Sequence, residues 1–246
     1  EAVGRSVTRF RPGDDVFAMG TGAFAEYVCV AADKAVRIPS GVTYEEAAAT
    51  PVAGLTALQG LRDKGRIMPL HKVLVIGASG GVGTFAVQIA KSYGAEVTGV
   101  CSTHNVDTAR KLGADHVVDY TSTDFVRSGR TYDLILDGVG TRSIADRRRV
   151  LDPKGVLVVI GGPKTNRWFG PLGALAKMLV AGRFGGPAMV GMLARNSRED
   201  LEYLRDLMAD GTVAPFVERT YPLREVPEAL RYLGTGHARG KLVVTP

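Results

Sequence analysis

The feature that most constrains this chain is a glycine-rich turn between a buried strand and a helix. Val73-Leu74-Val75-Ile76 is apolar at every position, without polar alternation, as expected of a strand covered on both faces. It runs into Gly77-Ala78-Ser79-Gly80-Gly81-Val82-Gly83, and residues 83–93 then read as a helix stopped by Gly94. Gly77, Gly80 and Gly83 give the spacing Gly-x-x-Gly-x-x-Gly, and Ala78 breaks the strict Gly-x-Gly-x-x-Gly form. The physics survives that change. Glycine allows the tight turn and lets backbone approach a pyrophosphate, and the helix start offers free amides and a positive dipole end. Strand, turn, helix and following strand stand in the order that a dinucleotide site requires.

The segment after the turn alternates in the same way. Strands are predicted at 97–101, 116–119, 134–137 and 156–160, with helices at 106–112 and 144–151 between them. This order predicts an α/β fold with a doubly wound parallel Rossmann sheet. The end of the second strand selects the cofactor. Dinucleotide sites for NAD place Asp or Glu there, whereas this chain has Cys101-Ser102-Thr103-His104-Asn105. Ser102, Thr103, His104 and Asn105 can hydrogen-bond a 2′-phosphate, which favours NADP(H) and leaves NAD(H) open. The competing reading is an ordinary β–α loop, rich in helix-capping residues.

The flanks have another character. Val16, Phe17 and residues 23–30 and 36–38 are short β-prone runs separated by Pro12-Gly13-Asp14 and Gly20-Thr21-Gly22. Thr43-Tyr44-Glu45-Glu46 is a capping box, and Pro51 is expected to open a second helix that ends at Gly65. Residues 168–186 are apolar and glycine-rich, with a helix expected over 172–180, and 188–193 reads as one more strand. Ser197 caps a helix over 198–209, and the tail predicts a strand (216–221), a helix (224–233) and a last strand (242–244). The first residues, Glu1-Ala2-Val3-Gly4, carry neither an initiator Met nor a signal pattern and read as a chain entered midway.

Composition excludes several classes. No run of some 18 apolar residues is present, so no membrane span is expected. Two distant cysteines, Cys29 and Cys101, suit a reduced, cytoplasmic protein, and with four scattered histidines they form no metal-ligand cluster. The net charge of +6 has no nucleic-acid recognition module beside it, and the densest basic run, Arg147-Arg148-Arg149, reads as a solvated helix face.

Several further motifs carry a resemblance over the whole chain. They are Pro12-Gly13-Asp14-Asp15-Val16, Gly22-Ala23-Phe24-Ala25-Glu26-Tyr27, Ala53-Gly54-Leu55-Thr56-Ala57, Leu112-Gly113-Ala114-Asp115 and Gly240-Lys241-Leu242-Val243-Val244. With the glycine turn, they resemble the medium-chain dehydrogenase/reductase superfamily in its zinc-independent, quinone-oxidoreductase-like branch. The resemblance implies that residues 1–40 are the remnant of a GroES-like β-rich catalytic domain. It implies that 41–196 form the Rossmann dinucleotide-binding domain and that 197–246 return to the catalytic domain. It places Gly80, Gly81, Val82 and Gly83 on the pyrophosphate, Ser102 on the 2′-phosphate and Tyr120 near the adenosine. Val139, Gly140, Ile160, Gly161 and Gly162 follow the nicotinamide half, Thr56 lies beside the nicotinamide, and Lys241 meets the pyrophosphate. Tyr120 and Val139 also read as plain strand-end packing.

One departure from NADPH-using relatives is His104-Asn105, where many carry Lys or Arg. Neutral donors hold a phosphate less strongly than a fixed cation, so a modest NADPH preference is expected. The four-cysteine lobe of zinc-dependent relatives is absent between Val16 and Phe24. Pro51, Val52 and Ala53 stand where a catalytic zinc ligand would be, so no zinc is expected. The branch implies hydride transfer from NADPH to a quinone or α,β-unsaturated carbonyl, with a small hydrophobic substrate and a homodimer. The catalytic residues stay unassigned. The alternatives are a non-catalytic NADP(H)-binding sensor or crystallin-like protein, and an enoylreductase module of a larger synthase.

Overall fold

The computed structural model describes residues 1–160 and 188–246. The expected helix over 172–180, and Gly161 and Gly162, lie outside the described residues. The chain divides into two compact units, Glu1–Leu55 with Arg195–Pro246, and Thr56–Ala194.

In the first unit, β1 (Val16–Ala18) and β2 (Ala35–Arg37) pair antiparallel. The run 23–30, expected as a strand, is not one: no strand is assigned there, and Phe24 and Tyr27 are exposed. Its β-prone residues are in place, but β propensity is realised only against a neighbouring strand. Helix α1 (Tyr44–Gln59) starts at the predicted capping box. The Glu46 N–H donates to the Thr43 hydroxyl (3.2 Å), and the Thr43 N–H donates to the Glu46 carboxylate (2.9 Å).

Pro51 does not begin a new helix; it lies inside α1. A mid-helix proline removes one backbone donor and strains the preceding turn. Here the helix is held by burial instead, with Ala47, Ala53, Leu55, Ala57 and Leu58 all at or below 1% exposure. The helix runs on through a wider turn over Gly60–Lys64, in which the Gly65 N–H donates to the Gly60 carbonyl (2.8 Å). Gly65 ends the helical stretch as expected, with φ −79° and so without a left-handed turn. Its role is steric, because a Cβ there would stand 2.6 Å from Leu134 Cδ1 and 2.8 Å from the Leu61 carbonyl oxygen.

The second unit contains β3 (Lys72–Ile76), α2 (Gly83–Ser92), β4 (Glu96–Cys101), α3 (Val106–Lys111) and β5 (His116–Asp119). It continues with β6 (Tyr132–Asp137), α4 (Ile144–Arg149), β7 (Leu151–Val159) and β8 (Ala188–Gly191). All six strands are parallel, in the order β5-β4-β3-β6-β7-β8. Its core holds Leu74, Ile76, Val100, Phe125, Ile135 and Leu157. The chain builds outward from β3 through β4 and β5, then crosses back to β6. A switch point therefore lies between the C-terminal ends of β3 and β6, where open α/β sheets bind their ligands.

The first unit closes with α5 (Arg198–Ala209), β9 (Val217–Pro222), α6 (Val226–Gly234) and β10 (Lys241–Thr245). Ser197 caps α5 as expected, accepting from the Asp200 N–H (3.2 Å). Strands β9 and β10 pair in parallel.

The packing at Gly65 predicts that Gly65→Ala destabilises the protein by about 1–3 kcal/mol, the usual range for forcing a methyl into a filled core. Urea denaturation of the variant checks this. An unchanged midpoint would show that Leu134 can move aside freely.

Candidate active site

The glycines of the turn after β3 differ in what the structure asks of them. Gly77 has φ +87°, a region that L side chains rarely adopt, and a Cβ there would also meet Val139 Cγ2 at 2.8 Å. At Gly83 a Cβ would overlap the Gly77 carbonyl oxygen and stand 2.8 Å from Ala78 Cα, so helix and strand approach only because this residue has no side chain. Gly80 is different. A Cβ there would stand 3.3 Å from the Gly77 carbonyl oxygen, a tight contact but not an overlap, and among the described residues it would meet no second atom within 4 Å. Gly77 and Gly83 thus supply the tight turn and the helix–strand contact of a dinucleotide-binding turn. The residues present fit a nicotinamide dinucleotide.

The turn is held from inside. Gly77 N–H and Ala78 N–H both donate to the Val100 carbonyl (3.1 and 3.0 Å), and Gly80 N–H donates to Gly77 (3.0 Å). The first turn of α2 follows at Gly83, and the amides of a first turn have no partner within their own helix.

On the other side of the switch point, the loop after β6 is organised by a residue that sequence reasoning passed over. Asp137 ends β6 with its side chain 1% exposed. One carboxylate oxygen accepts the N–H groups of Val139 (2.9 Å) and Gly140 (2.8 Å). The other faces Arg147 Nε at 2.7 Å, an ion pair whose angle falls outside hydrogen-bond geometry. Arg147 is buried, so the reading of Arg147-Arg148-Arg149 as a wholly solvated face is corrected: the first arginine turns inward, and the other two are exposed. A charged residue closing the apolar run Leu134-Ile135-Leu136 is the available signal. The ladder continues past the strand ends, with Gly138 N–H on Ile76 (3.1 Å) and Ile160 N–H on Asp137 (3.0 Å). Val139, Gly140 and Ile160 therefore stand in one row with the glycine turn.

The ends of β4 and β5 form the second half of the site. Residues Thr103–Asn105 make a single 3₁₀ turn after Ser102, and Asn105 Nδ2 donates to the Ser102 hydroxyl (3.0 Å). Thr103 donates to Asp119 Oδ2 (2.6 Å), while Thr121 gives Asp119 Oδ1 both its N–H (2.9 Å) and its hydroxyl (2.7 Å). The Thr103 hydroxyl first, and then Thr121, hold the Asp119 carboxyl below the usual carboxylate range. Tyr120 is exposed, with its N–H on the Cys101 carbonyl (3.0 Å). Burial first, and then the Asp119 charge, push the Cys101 thiol up to about 11.

Thr56 is part-buried near the end of α1. Lys241 opens β10 in the other unit, and burial lowers its ammonium. Among the described residues, no group of three or more His, Cys, Asp and Glu side chains could hold a metal ion. No described helix is long and apolar enough to cross a membrane. Two clefts of about 360 and 370 Å³ share Arg130. They open beside His116, Glu96, Lys72 and Tyr132, the first residues of four strands, and so at the opposite end of the sheet from the glycine turn.

The chain is similar over most of its length to known oxidoreductases. The family model described as zinc-binding dehydrogenase matches residues 112–244. The chain is 34% identical over 263 residues to the mitochondrial NAD(P)H oxidoreductase RTN4IP1 of Mus musculus; the match covers 98% of this chain and 66% of that protein. The quinone oxidoreductase from Coxiella burnetii superposes with a TM-score of 0.87 at 29% identity, over 99% of this chain and 75% of the other. The CurK enoyl reductase superposes with a TM-score of 0.85 at 27% identity, again over 99% and 75%.

Two outcomes follow from the site. Arg147→Met leaves Asp137 buried without its counter-charge and should cost about 3–5 kcal/mol in urea denaturation. Adding Asp137→Asn should recover part of that loss, and strictly additive losses would show that the two charges are not coupled. Thiol titration with an aromatic disulfide should find Cys29, which is exposed, reacting fast and Cys101 only on unfolding. Two fast thiols in the native protein would contradict the burial of Cys101.

Proposed function

Since the chain belongs to the zinc-binding dehydrogenase family of the medium-chain dehydrogenase/reductase superfamily, we propose that it is an NADP(H)-dependent oxidoreductase that reduces a quinone or an α,β-unsaturated carbonyl without zinc. The chain spans about two thirds (66%) of the length of the mouse relative, and the activity, substrate and partner proposed here are those of the whole protein. The observation that carries the reading is the bare turn at Gly77, Gly80 and Gly83, packed against the Asp137-held loop at the switch point. When bound, the reduced nicotinamide supplies a hydride. The chain's own groups bind and orient. The start of α2 takes the pyrophosphate, and the loop at Val139 and Gly140, with Ile160, lies along the nicotinamide half. The Ser102 hydroxyl accepts from Asn105 and keeps its own proton for a 2′-phosphate.

This assignment favours NADPH by a modest margin. Among the described residues strand β8 is the outer edge of the sheet, and it serves as the contact of a homodimer. Similarity to an enoyl reductase supports a second reading, in which the acceptor is an enoyl thioester.

The test is a titration of the full-length protein with both reduced dinucleotides, followed by NADPH oxidation with 9,10-phenanthrenequinone, a short-chain enone and an enoyl thioester. NADPH should bind more tightly, and the quinone or the enone should turn over. Tighter NADH binding overturns the cofactor assignment. Turnover of the thioester alone favours the enoylreductase reading, and binding without any turnover leaves a sensor.

A further inference from the structure

The end of β4 contains no carboxylate in its own sequence, but the fold brings one to it. Cys101, the last residue of β4, is registered against Asp119, the last residue of β5. Beyond that rung the Asp119 side chain reaches Thr103, two residues past the end of β4. The carboxylate accepts three protons in all, one from Thr103 and two from Thr121, and the two threonine hydroxyls lie 2.8 Å apart. A hydroxyl has a single proton to give. The Thr103 proton is committed to Asp119, so Thr103 offers an incoming phosphate no donor unless that bond breaks. The residue is only part-buried, so the charge is open to a ligand at this loop.

Among the described residues His104 lies nearby, and Arg110 on α3, which is close enough to bear on Cys101, donates to Asp107 at 3.4 Å. Two ligand groups compete for this place. Ribose hydroxyls donate protons and gain from a carboxylate acceptor, whereas a 2′-phosphate is an acceptor dianion and is repelled by it.

Resting on the dinucleotide reading above, we propose that Asp119 sets the balance between the two nicotinamide dinucleotides, accepting from the ribose hydroxyls of NADH and opposing the 2′-phosphate of NADPH through the hydrogen bond that ties up Thr103. Ser102 and Asp119 then pull in opposite directions. The margin for NADPH is small because a negative charge stands at the loop in which the Ser102 hydroxyl keeps its proton for the phosphate.

The test is Asp119→Asn, which keeps the shape and removes the charge; its amide oxygen accepts from one threonine, and its NH2 donates to the hydroxyl of the other. Dissociation constants for NADPH and NADH are measured by nicotinamide fluorescence on full-length wild type and variant. The ratio Kd(NADH)/Kd(NADPH) should rise about tenfold, as expected when a like charge is removed from a close charged pair. An unchanged or falling ratio overturns the proposal, since a network that merely clamps the loop would affect both ligands alike. Asp119→Ser is compared in the same way should the amide variant not fold. A wild type that binds neither dinucleotide defeats the underlying function as well. Binding of both with an unmoved ratio defeats only the role of Asp119.

Discussion

Everything at this site depends on how closely the start of α2 can approach the end of β3. That approach is set by the missing Cβ of Gly83, which would otherwise occupy the space of the Gly77 carbonyl. With it absent, the helix starts directly above the strand end; the Thr84 N–H is taken by the Gly80 carbonyl (3.0 Å) and the Ala86 N–H by the Val82 carbonyl (2.9 Å), and the positive end of the helix dipole faces the turn. The left-handed Gly77 makes the reversal possible, and the Val100 carbonyl anchors it by accepting two successive amides. The pyrophosphate site proposed for this turn therefore rests first on backbone geometry.

Around that cradle the fold uses two aspartates at strand ends in different ways. Asp137 is buried, and its two oxygens are divided between loop amides and Arg147. It fixes backbone, and removing its partner would leave a charge in a low-dielectric interior. Asp119 is exposed to a ligand and bonded by threonines, so its charge acts outward. The same residue type positions a loop in one place and bears on ligand choice in the other. Burial and neighbours make the difference, not the side chain.

The sequence shows the first kind of information well. A buried strand, a glycine turn and a helix are local features, and so is the Thr43–Glu46 capping box; all are found where the pattern places them. It shows poorly what depends on neighbours brought in by topology. The carboxylate that seemed missing at the end of β4 comes from β5, one register pair away. The inward turn of Arg147 is invisible in a run of three arginines, because only the sheet decides which one meets Asp137. Pro51 looked like a helix start because local preference says so, and burial of the surrounding alanines and leucines overrides it. Residues 23–30 carry strand-forming side chains without a strand beside them, so the pattern alone does not make β structure.

The central claim is that a nicotinamide dinucleotide lies over the glycine turn at the switch point between β3 and β6. Amide chemical shifts of the isotope-labelled full-length protein, recorded while NADPH is added, test it most directly. The account predicts saturable shifts at Gly80, Gly81, Val82 and Gly83, joined by Val139 and Gly140. Saturable shifts confined to the opposite end of the sheet, around His116 and Arg130, with the glycine turn unmoved, would contradict it.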